Sequence, residues 1–184
     1  MPHAALVLLP ILGAFLAHAP VLRFNLLPGW ARPLDAGRTW RGRRLLGDNK
    51  TWRGLIVMWS GVFIATLALS TIAGWWSALP GPIQAAGPLP YATLLALGAV
   101  TAELPNSFAK RQLDIAPGRQ RGSLLGVLLS LLDQGDFVLG CWLTLAPIWL
   151  MTVSEAATAF SVVAAVHLVV NVIGWAIGAR QTWI

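Results

Sequence analysis

Long apolar stretches restrict this chain to a fold that is built within a membrane. Residues 4–22, 55–75, 137–153 and 156–178 each form a stretch that, as a helix, can cross about 30 Å of hydrocarbon. A fifth apolar stretch, residues 89–101, continues into a polar segment with helical spacing. Because 57% of the residues are hydrophobic and only 11% are charged, a soluble globular domain is excluded. We predict an all-α fold, a polytopic membrane helical bundle of about five transmembrane helices.

No hydrophilic domain or low-complexity linker divides the chain, so residues 1–184 are expected to form a single membrane domain. The first apolar stretch lacks the basic n-region and small-residue cleavage site of a signal peptide, and we interpret it as a retained span. Residues 124–132 are apolar, but a helix of that length rises only about 15 Å, which predicts a re-entrant or interfacial segment. Cys141 has no partner for an intrachain disulfide.

Basic residues predict the orientation of the bundle. Eight lie between the first two predicted spans and four between the third and fourth, whereas the alternate loops contain none: Arg23, Arg32, Arg38, Arg41, Arg43, Arg44, Lys50 and Arg53, then Lys110, Arg111, Arg119 and Arg121. Both basic loops should face the cytoplasm. The N-terminus would then be outside and the C-terminus, with Arg180, cytoplasmic. We expect a multi-pass protein of the cell membrane.

The loop sequence GDNKTWRG, residues 47–54, contains more than basic residues. Its glycines permit turns and close backbone approach, its Asx pair favours a turn, and its remaining polar side chains can bind phosphate oxygens. The alternative is that its cations serve only topology and affinity for anionic lipid. The candidate nucleotide-binding residues of this loop are Asp48, Asn49, Lys50, Thr51 and Arg53.

A polar stripe follows the third apolar stretch. Helical spacing places five polar residues on one face, with Pro105 expected to kink the helix: Glu103, Asn106, Ser107, Lys110 and Arg111. In a purely structural interpretation, Glu103 would be paired with Lys110 or with a nearby arginine. A whole polar stripe turned into a membrane bundle favours a functional site instead.

Two carboxylates, Asp133 and Asp136, lie just before the predicted fourth span and would share a helical face. Gly135 between them would admit a backbone or a phosphate. Paired carboxylates beside a basic cavity suit Mg²⁺, which takes one or two carboxylates together with substrate phosphates. Salt bridges to the loop arginines, or a helix N-cap by Asp133, are the alternatives.

These three clusters together match the needs of a nucleoside triphosphate with metal ions beside a lipid headgroup. Such transfer reactions depend mainly on positioning and charge neutralisation. No Ser-His-Asp or Cys-His arrangement is evident in the sequence. The three histidines lie in apolar surroundings and away in sequence from the polar clusters: His3, His18 and His167.

The motifs GRRLLGDNKTWRG (residues 42–54), SFAKR (107–111) and LLDQGDF (131–137) resemble those of the CDP-archaeol synthase family. This family consists of integral-membrane cytidylyltransferases related to CDP-diacylglycerol synthase. The resemblance implies Mg²⁺-dependent transfer from CTP to a lipid phosphate, giving CDP-lipid and pyrophosphate at a site open to the cytoplasm. It implies that Asp133 and Asp136 are metal ligands and that Lys110 is catalytic, with Arg111 as a further phosphate contact.

The same resemblance implies that Lys50, Thr51 and Arg53 belong to the nucleotide loop, supported by Asp48 and Asn49. Glu103 stands where the family has aspartate, Gln112 replaces an arginine, and the expected proline before Asp133 is absent. The acceptor therefore stays open between an archaeal-type ether lipid phosphate and phosphatidic acid. We expect CTP and the lipid phosphate as partners, and no nucleic acid.

Two alternatives to this function remain. A CDP-alcohol phosphotransferase would carry the signature Asp-x-x-Asp-Gly-x-x-Ala-Arg, which is absent here. A non-catalytic membrane protein that binds or moves anionic lipid would use the polar stripe as a headgroup groove. It would bind such lipid without metal-dependent CTP turnover.

Overall fold

Helices make up most of the protein, as the apolar stretches predict. The structure is a computed structural model that describes residues 3–115 and 124–176; Arg119, Arg121 and Arg180 lie outside this part. The elements are α1 (His3–Leu8), a 3-10 turn (Leu9–Ile11), α2 (Leu12–Arg23), a 3-10 turn (Pro28–Trp30), β1 (Thr39–Trp40), β2 (Arg43–Arg44), α3 (Trp52–Ser70), α4 (Ala73–Ser77), α5 (Gly81–Ala86), α6 (Pro88–Gln112), α7 (Leu124–Leu145) and α8 (Val153–Ala176).

Within the described ranges, two helical segments are both long enough and apolar enough to cross a membrane. The first is His3–Arg23, in which α1, the 3-10 turn and α2 are continuous, and the second is α3. The helices α6, α7 and α8 are longer than α3, at 25, 22 and 24 residues. The total number of spans and their orientation stay predictions.

The predicted break before the fourth span is wrong. Residues 124–132 form the first part of α7 and not a separate re-entrant piece, and α7 ends at Leu145 instead of reaching residue 153. No proline interrupts this segment, and Asp133 is bound by Asn106 and Lys110 of the polar stripe of α6, so a local drop in hydropathy does not end the helix. Asp133 therefore lies inside a helix and is not an N-cap.

The other predicted helix boundaries are closer to the structure. The helix α6 runs through Pro105 and includes the whole polar extension. The second predicted span, residues 55–75, begins earlier, at Trp52, and ends at Ser70, after which Trp75 lies in the short helix α4. Ile72 adopts an extended backbone conformation between the two helices, which separates α4 from α3.

The helices α6 and α7 cross at small residues, and this contact positions the polar groups. A Cβ atom on Gly98 would lie 2.7 Å from the Cα of Cys141, and a Cβ on Gly140 would lie 3.1 Å from the Cα of Ala102. Such distances leave no room for a larger side chain at either position. The close crossing places the first half of α7 directly beside the last turns of α6.

The segment before α3 contains a two-stranded hairpin, which the all-α prediction did not include. Thr39 pairs with Arg44 and Trp40 with Arg43, while Arg41 and Gly42 form the turn. Both turn residues have positive φ, at 51° and 77°, as a two-residue hairpin of type I′ requires. The hairpin therefore belongs to the segment between α2 and α3 and not to the membrane bundle.

Candidate functional site

The segment that precedes α3 forms a closed loop, and this loop contains many of the basic residues. Leu34 N–H donates to Lys50 O at 2.8 Å and Trp52 N–H donates to Arg32 O at 3.0 Å, so the two ends of the segment are held together. We call residues 35–50 the basic loop. Because its base is closed by backbone hydrogen bonds, the loop leaves and rejoins the bundle at one place beside the N-terminus of α3.

Asp35 organises the inside of the basic loop, a role that the sequence did not reveal. Its side chain is buried and accepts hydrogen bonds from the N–H groups of Gly37, Leu46 and Gly47 at 3.0, 2.9 and 3.1 Å. Arg44 Nη2 donates to the same carboxylate at 2.7 Å. The only signal in the sequence is an aspartate two residues before a glycine, which is common in turns.

The charge state of Asp35 follows from these contacts. Burial alone would raise the pKa of Asp35, but the hydrogen bonds from Arg44 and the three backbone N–H groups outweigh burial and hold the pKa well below its usual range. Asp35 is therefore ionised at neutral pH. Its stabilisation of the loop is fully present above the ordinary carboxyl pKa and is lost as the pH falls through the lowered value.

The basic loop docks on the C-terminal end of α6. Gln112 Nε2 donates to Arg44 O at 3.2 Å, and Arg43 contacts both Gln112 O and the carboxylate of Asp114, the latter at 2.7 Å. Gly47, with φ of 91°, lies against Arg111: a Cβ atom here would be 3.2 Å from the Arg111 Nε. Gln112 thus positions the loop through its side-chain amide and its backbone carbonyl.

Two lysines from different elements are ion-paired with two predicted site carboxylates. Lys50 of the basic loop contacts Glu103 of α6, and Lys110 of α6 contacts Asp133 of α7. The purely structural alternative paired Glu103 with Lys110 or an arginine, but the observed partner of Glu103 is Lys50, and Lys110 contacts α7 instead. The polar stripe therefore joins the loop to α7 through paired charges.

Asn106 and Asp136 are buried between these pairs. Asn106 Nδ2 donates to Asp133 Oδ1 at 2.6 Å and to Leu129 O at 3.1 Å. Within residues 3–115 and 124–176, the Oδ1 atoms of Asn106 and Asp136 have no hydrogen-bond partner. Asp136 also experiences the negative charges of Glu103 and Asp133 and the positive charge of Lys50. Burying a carboxylate oxygen without a hydrogen-bond donor costs free energy unless a bound ligand interacts with that oxygen.

The residues fit a magnesium ion that keeps water and phosphate ligands. The described residues contain no group of three or more His, Cys, Asp or Glu side chains that could hold a metal ion. Asp133 and Asp136, one turn apart on α7, offer the hard oxygens, and the unpaired Oδ1 of Asp136 is already buried at this position. One or two carboxylates with substrate phosphates is the set that Mg²⁺ usually takes.

The space beside Gly135 is occupied by the side chain of Phe160 and is not open to a phosphate. A Cβ atom on Gly135 would lie 2.7 Å from Cζ of Phe160, so the missing side chain makes room for the phenyl ring of α8. This contact seats α8 behind the two aspartates. The expectation that Gly135 lets a backbone or phosphate approach is replaced by this packing role.

The other predicted site residues differ in their exposure and make contacts of different kinds. Ser107 is buried on α6, and Asp48 is exposed and paired with Arg44 at 2.8 Å. Asn49 is exposed in the loop next to Lys50. Thr51 caps α3, since its Oγ1 accepts a hydrogen bond from Gly54 N–H at 3.1 Å. The side chain of Arg53 donates to Asn25 Oδ1 at 2.7 Å, on the α2 side of the loop.

His18 lies closer to the charged cluster than its sequence neighbours suggest. Its imidazole Cε1 lies 3.6 Å from where a Cβ atom on Gly54 would be, and it experiences the charges of Glu103, Arg53 and Lys50. His18 is therefore distant from the polar clusters in sequence but close to them in space. Packing of α2 against α3, through Gly13 and Gly61, brings it there.

An open, mostly apolar cleft of about 540 Å³ begins at the buried acid and extends along α6 and α7. Asn106 and Asp136 lie at its polar part, and Leu139 and Leu143 continue its wall. The full lining is Thr101, Ala102, Pro105, Asn106, Ala109, Leu129, Leu132, Asp136, Leu139, Gly140, Leu143 and Thr144. The cleft therefore joins a charged site to an apolar helical surface.

Comparison with protein families gives a match that covers nearly the whole chain. Residues 5–184 match the CarS-like CDP-archaeol synthase family. The CDP-archaeol synthase of Halorubrum lacusprofundi is 40% identical over 165 residues, which cover 84% of this chain and 85% of that protein. The Pyrococcus furiosus CDP-archaeol synthase is 32% identical over 172 residues, covering 90% and 93%.

A solved structure has a similar fold. It belongs to an intramembrane enzyme for archaeal membrane lipids biosynthesis, to which this chain is 29% identical. The similarity covers 92% of each chain with a TM-score of 0.68. The family match, over residues 5–184, therefore includes α6, α7 and the basic loop together.

Proposed function

The chain belongs to the CDP-archaeol synthase family, and on that basis we propose that it transfers the cytidylyl group of CTP to a membrane lipid phosphate, releasing pyrophosphate. The observation that carries this proposal is the presence of two lysine–carboxylate pairs beside Asp136, whose carboxylate lines the polar part of an apolar cleft. Cations for a triphosphate, acids for a metal ion and an apolar surface for a lipid are then adjacent.

Lys50 and Lys110 are proposed to bind the phosphates of CTP. Each is now paired with a carboxylate, so the site is internally neutralised without a ligand. An incoming triphosphate offers each lysine stronger acceptors, while Asp133 and Asp136 would hold Mg²⁺. When bound, Mg²⁺ supplies charge neutralisation to the triphosphate. Arg111, buried under Gly47, adds positive charge behind the loop.

The proposed reaction needs no strong base from the protein. An anionic oxygen of the lipid phosphate attacks the α-phosphorus of CTP and forms a new P–O bond. The bond from the α-phosphorus to the oxygen bridging to the β-phosphate breaks, and pyrophosphate leaves with the electron pair. The side chains position the two anions and offset their repulsion, which is the main requirement of such transfers.

The position of the label distinguishes this reaction from related chemistry. With CTP labelled in the α-phosphate, we expect label in the organic phase, whereas label in the γ-phosphate should appear in water-soluble pyrophosphate. Organic label from the γ-phosphate would indicate phosphoryl transfer and contradict the proposal. Binding of anionic lipid with no transfer from either label would favour the non-catalytic alternative.

The cleft along α6 and α7 is the proposed position of an acceptor chain. Its apolar wall begins beside Asp136, so a lipid whose phosphate is at the site can place its chain against Leu139 and Leu143. This arrangement keeps the chain out of water while the phosphate meets the lysines. It accommodates either an ether lipid phosphate or phosphatidic acid.

Replacing Leu139 by tryptophan should obstruct this cleft. We expect the KM for the lipid phosphate to rise about tenfold, a loss of roughly 1.4 kcal/mol, with the KM for CTP unchanged. Steady-state kinetics in mixed micelles measures both constants. Leu16→Trp is the matched control, because Leu16 is exposed on α2 outside the cleft lining. Equal KM values for the lipid in the two variants would contradict this position for the chain.

We also propose that the helices form five membrane spans with the basic loop in the cytoplasm. Support comes from the basic residues of the sequence and from the fold shared with an intramembrane enzyme. The N-terminus would be outside and the C-terminus cytoplasmic. The site would then face the compartment that contains CTP.

Impermeant thiol labelling in intact cells tests this orientation. In a Cys141→Ser background, a cysteine at the exposed Ala78, between α4 and α5, should react from outside. A cysteine at the exposed Arg41, in the hairpin turn, should react only after the membrane is permeabilised. The reverse pattern would place the basic loop outside and contradict the proposed orientation.

A further inference from the structure

We propose that Asp35 is the positioning residue of the basic loop and of its proposed CTP contact, Lys50, an inference that rests on the function proposed above. The basic loop contains five cationic side chains within 16 residues, listed as Arg38, Arg41, Arg43, Arg44 and Lys50. Like charges at this density repel one another and favour an extended loop. A buried anion at the centre of the loop opposes that repulsion and gives the loop one conformation.

The contacts of Asp35 leave it nothing to offer a ligand. Three backbone N–H groups and the guanidinium of Arg44 donate to its two oxygens. An ionised carboxylate has about four lone-pair sites, so this set saturates it. Because Asp35 is only 5% exposed, it acts through the loop and does not touch substrate.

The hydrogen bonds lead from Asp35 to Lys50. The Asp35 carboxylate fixes the N–H groups of Leu46 and Gly47, and Gly47 O accepts a hydrogen bond from Lys50 N–H at 3.3 Å. On the other side, Leu34, the residue before Asp35, donates to Lys50 O at 2.8 Å. The backbone of Lys50 is thus held from both directions, and its side chain is directed to Glu103.

A second route leads from Asp35 to Arg111. Gly47, whose N–H is bound by Asp35, has a left-handed φ of 91° and packs on the Arg111 side chain. If Asp35 did not hold Gly47, the packing of Gly47 against Arg111 would change, and so would the turn that runs from Gly47 to Lys50. The two cations come from different elements, and Asp35 links their positions.

The charge of Asp35 matters as well as its shape. Asparagine has nearly the same size, but its amide nitrogen cannot accept, so at least one of the donors would lose its partner. Arg44 would also lose its buried anionic partner and keep only the exposed Asp48. Glutamate restores the charge with a longer arm, and we expect it to recover part of the function.

The test compares Asp35→Asn, Asp35→Glu and Asp114→Asn in the full-length protein. Asp114→Asn is the control, because Asp114 is an exposed carboxylate that is also paired with a loop arginine, Arg43. For Asp35→Asn we expect the KM for CTP to rise about tenfold or more, with the KM for the lipid phosphate within about twofold. The Asp35→Glu variant should recover part of the CTP affinity, and the control should match the wild type.

An unchanged KM for CTP in Asp35→Asn, or equal rises in both KM values, would overturn the proposal. Limited trypsin cleavage of the same proteins separates this result from failure of the proposed function. If the wild type does not turn over CTP, the function fails, and cleavage after Arg38 and Arg41 still tests Asp35. Faster cleavage in Asp35→Asn than in Asp114→Asn would support a loop held by Asp35, and equal rates would contradict it.

Discussion

Replacing Asp136 by asparagine is expected to reduce cytidylyl transfer by about 1,000-fold, which corresponds to roughly 4 kcal/mol in the activation barrier. Asp136 is buried beside the ion pairs, and its Oδ1 has no hydrogen-bond partner in the part of the chain that the structure describes. Asparagine keeps the size but removes the charge that a bound metal ion requires. Initial rates at saturating CTP and Mg²⁺ measure the effect.

The same substitution should not unfold the protein. Asp136 has no ion-pair partner among the described residues, so its replacement breaks no ion pair, and the melting temperature in detergent should equal or exceed that of the wild type. Asp133→Asn should also abolish transfer, but it removes the partner of Lys110 and should lower the melting temperature. Asp114→Asn controls for the loss of an exposed carboxylate. Near-normal turnover in Asp136→Asn would contradict the metal assignment.

Replacing Lys110 by methionine is expected to lower the rate of transfer by about 100-fold. Lys110 belongs to the polar stripe and contacts Asp133 of α7, and its side chain is only 14% exposed. Methionine keeps most of the apolar stem and removes the ammonium group that would neutralise phosphate charge. The rate should be measured at saturating CTP and lipid phosphate. The reason is that Lys110 is proposed to offset the negative charge that develops on the departing pyrophosphate.

A control that removes another positive charge shows whether Lys110 acts in the reaction or only in orienting the protein in the membrane. Arg23→Met removes an exposed cation from the end of α2, at the same side of the bundle in the proposed orientation. We expect its rate to be close to that of the wild type. If Lys110→Met had an equally small effect, Lys110 would contribute only to orientation in the membrane.

Helical periodicity predicted most of the α6 side of the site. Residues at intervals of three and four share a face, so the position of Asn106 and Lys110 beside each other followed from the sequence. The acidic pair on α7 was predicted for the same reason. Its partner was not predictable, because contact between α6 and α7 depends on the small residues Gly98 and Gly140 at the crossing.

The loop shows why local sequence is insufficient. The tetrad Thr-Trp-Arg-Gly occurs at residues 39–42 and again at 51–54. The first copy forms a strand and a turn with positive φ, whereas the second caps and begins α3 through Thr51. Identical residues thus adopt different structures because the first copy pairs with β2 and the second precedes an apolar helix.

Asp35 and His18 could not be assigned from their sequence neighbours. The donors that surround Asp35 come from residues up to 12 positions later, once the loop has closed on itself. His18 reaches the charged cluster only through packing of α2 against α3. The break predicted before the fourth span failed for a related reason, since Asp133 of α7 is bound by Asn106 and Lys110 of α6 and does not end the helix.

The most direct test is transfer of label from CTP to lipid by the purified protein. The protein in detergent is incubated with Mg²⁺ and CTP labelled in the α-phosphate, in parallel with phosphatidic acid and with an archaeal-type ether lipid phosphate. We predict organic-phase label that requires a lipid phosphate and disappears with chelator, and the productive lipid identifies the acceptor. The absence of organic-phase label with both lipids, from folded protein, would contradict the proposed cytidylyl transfer.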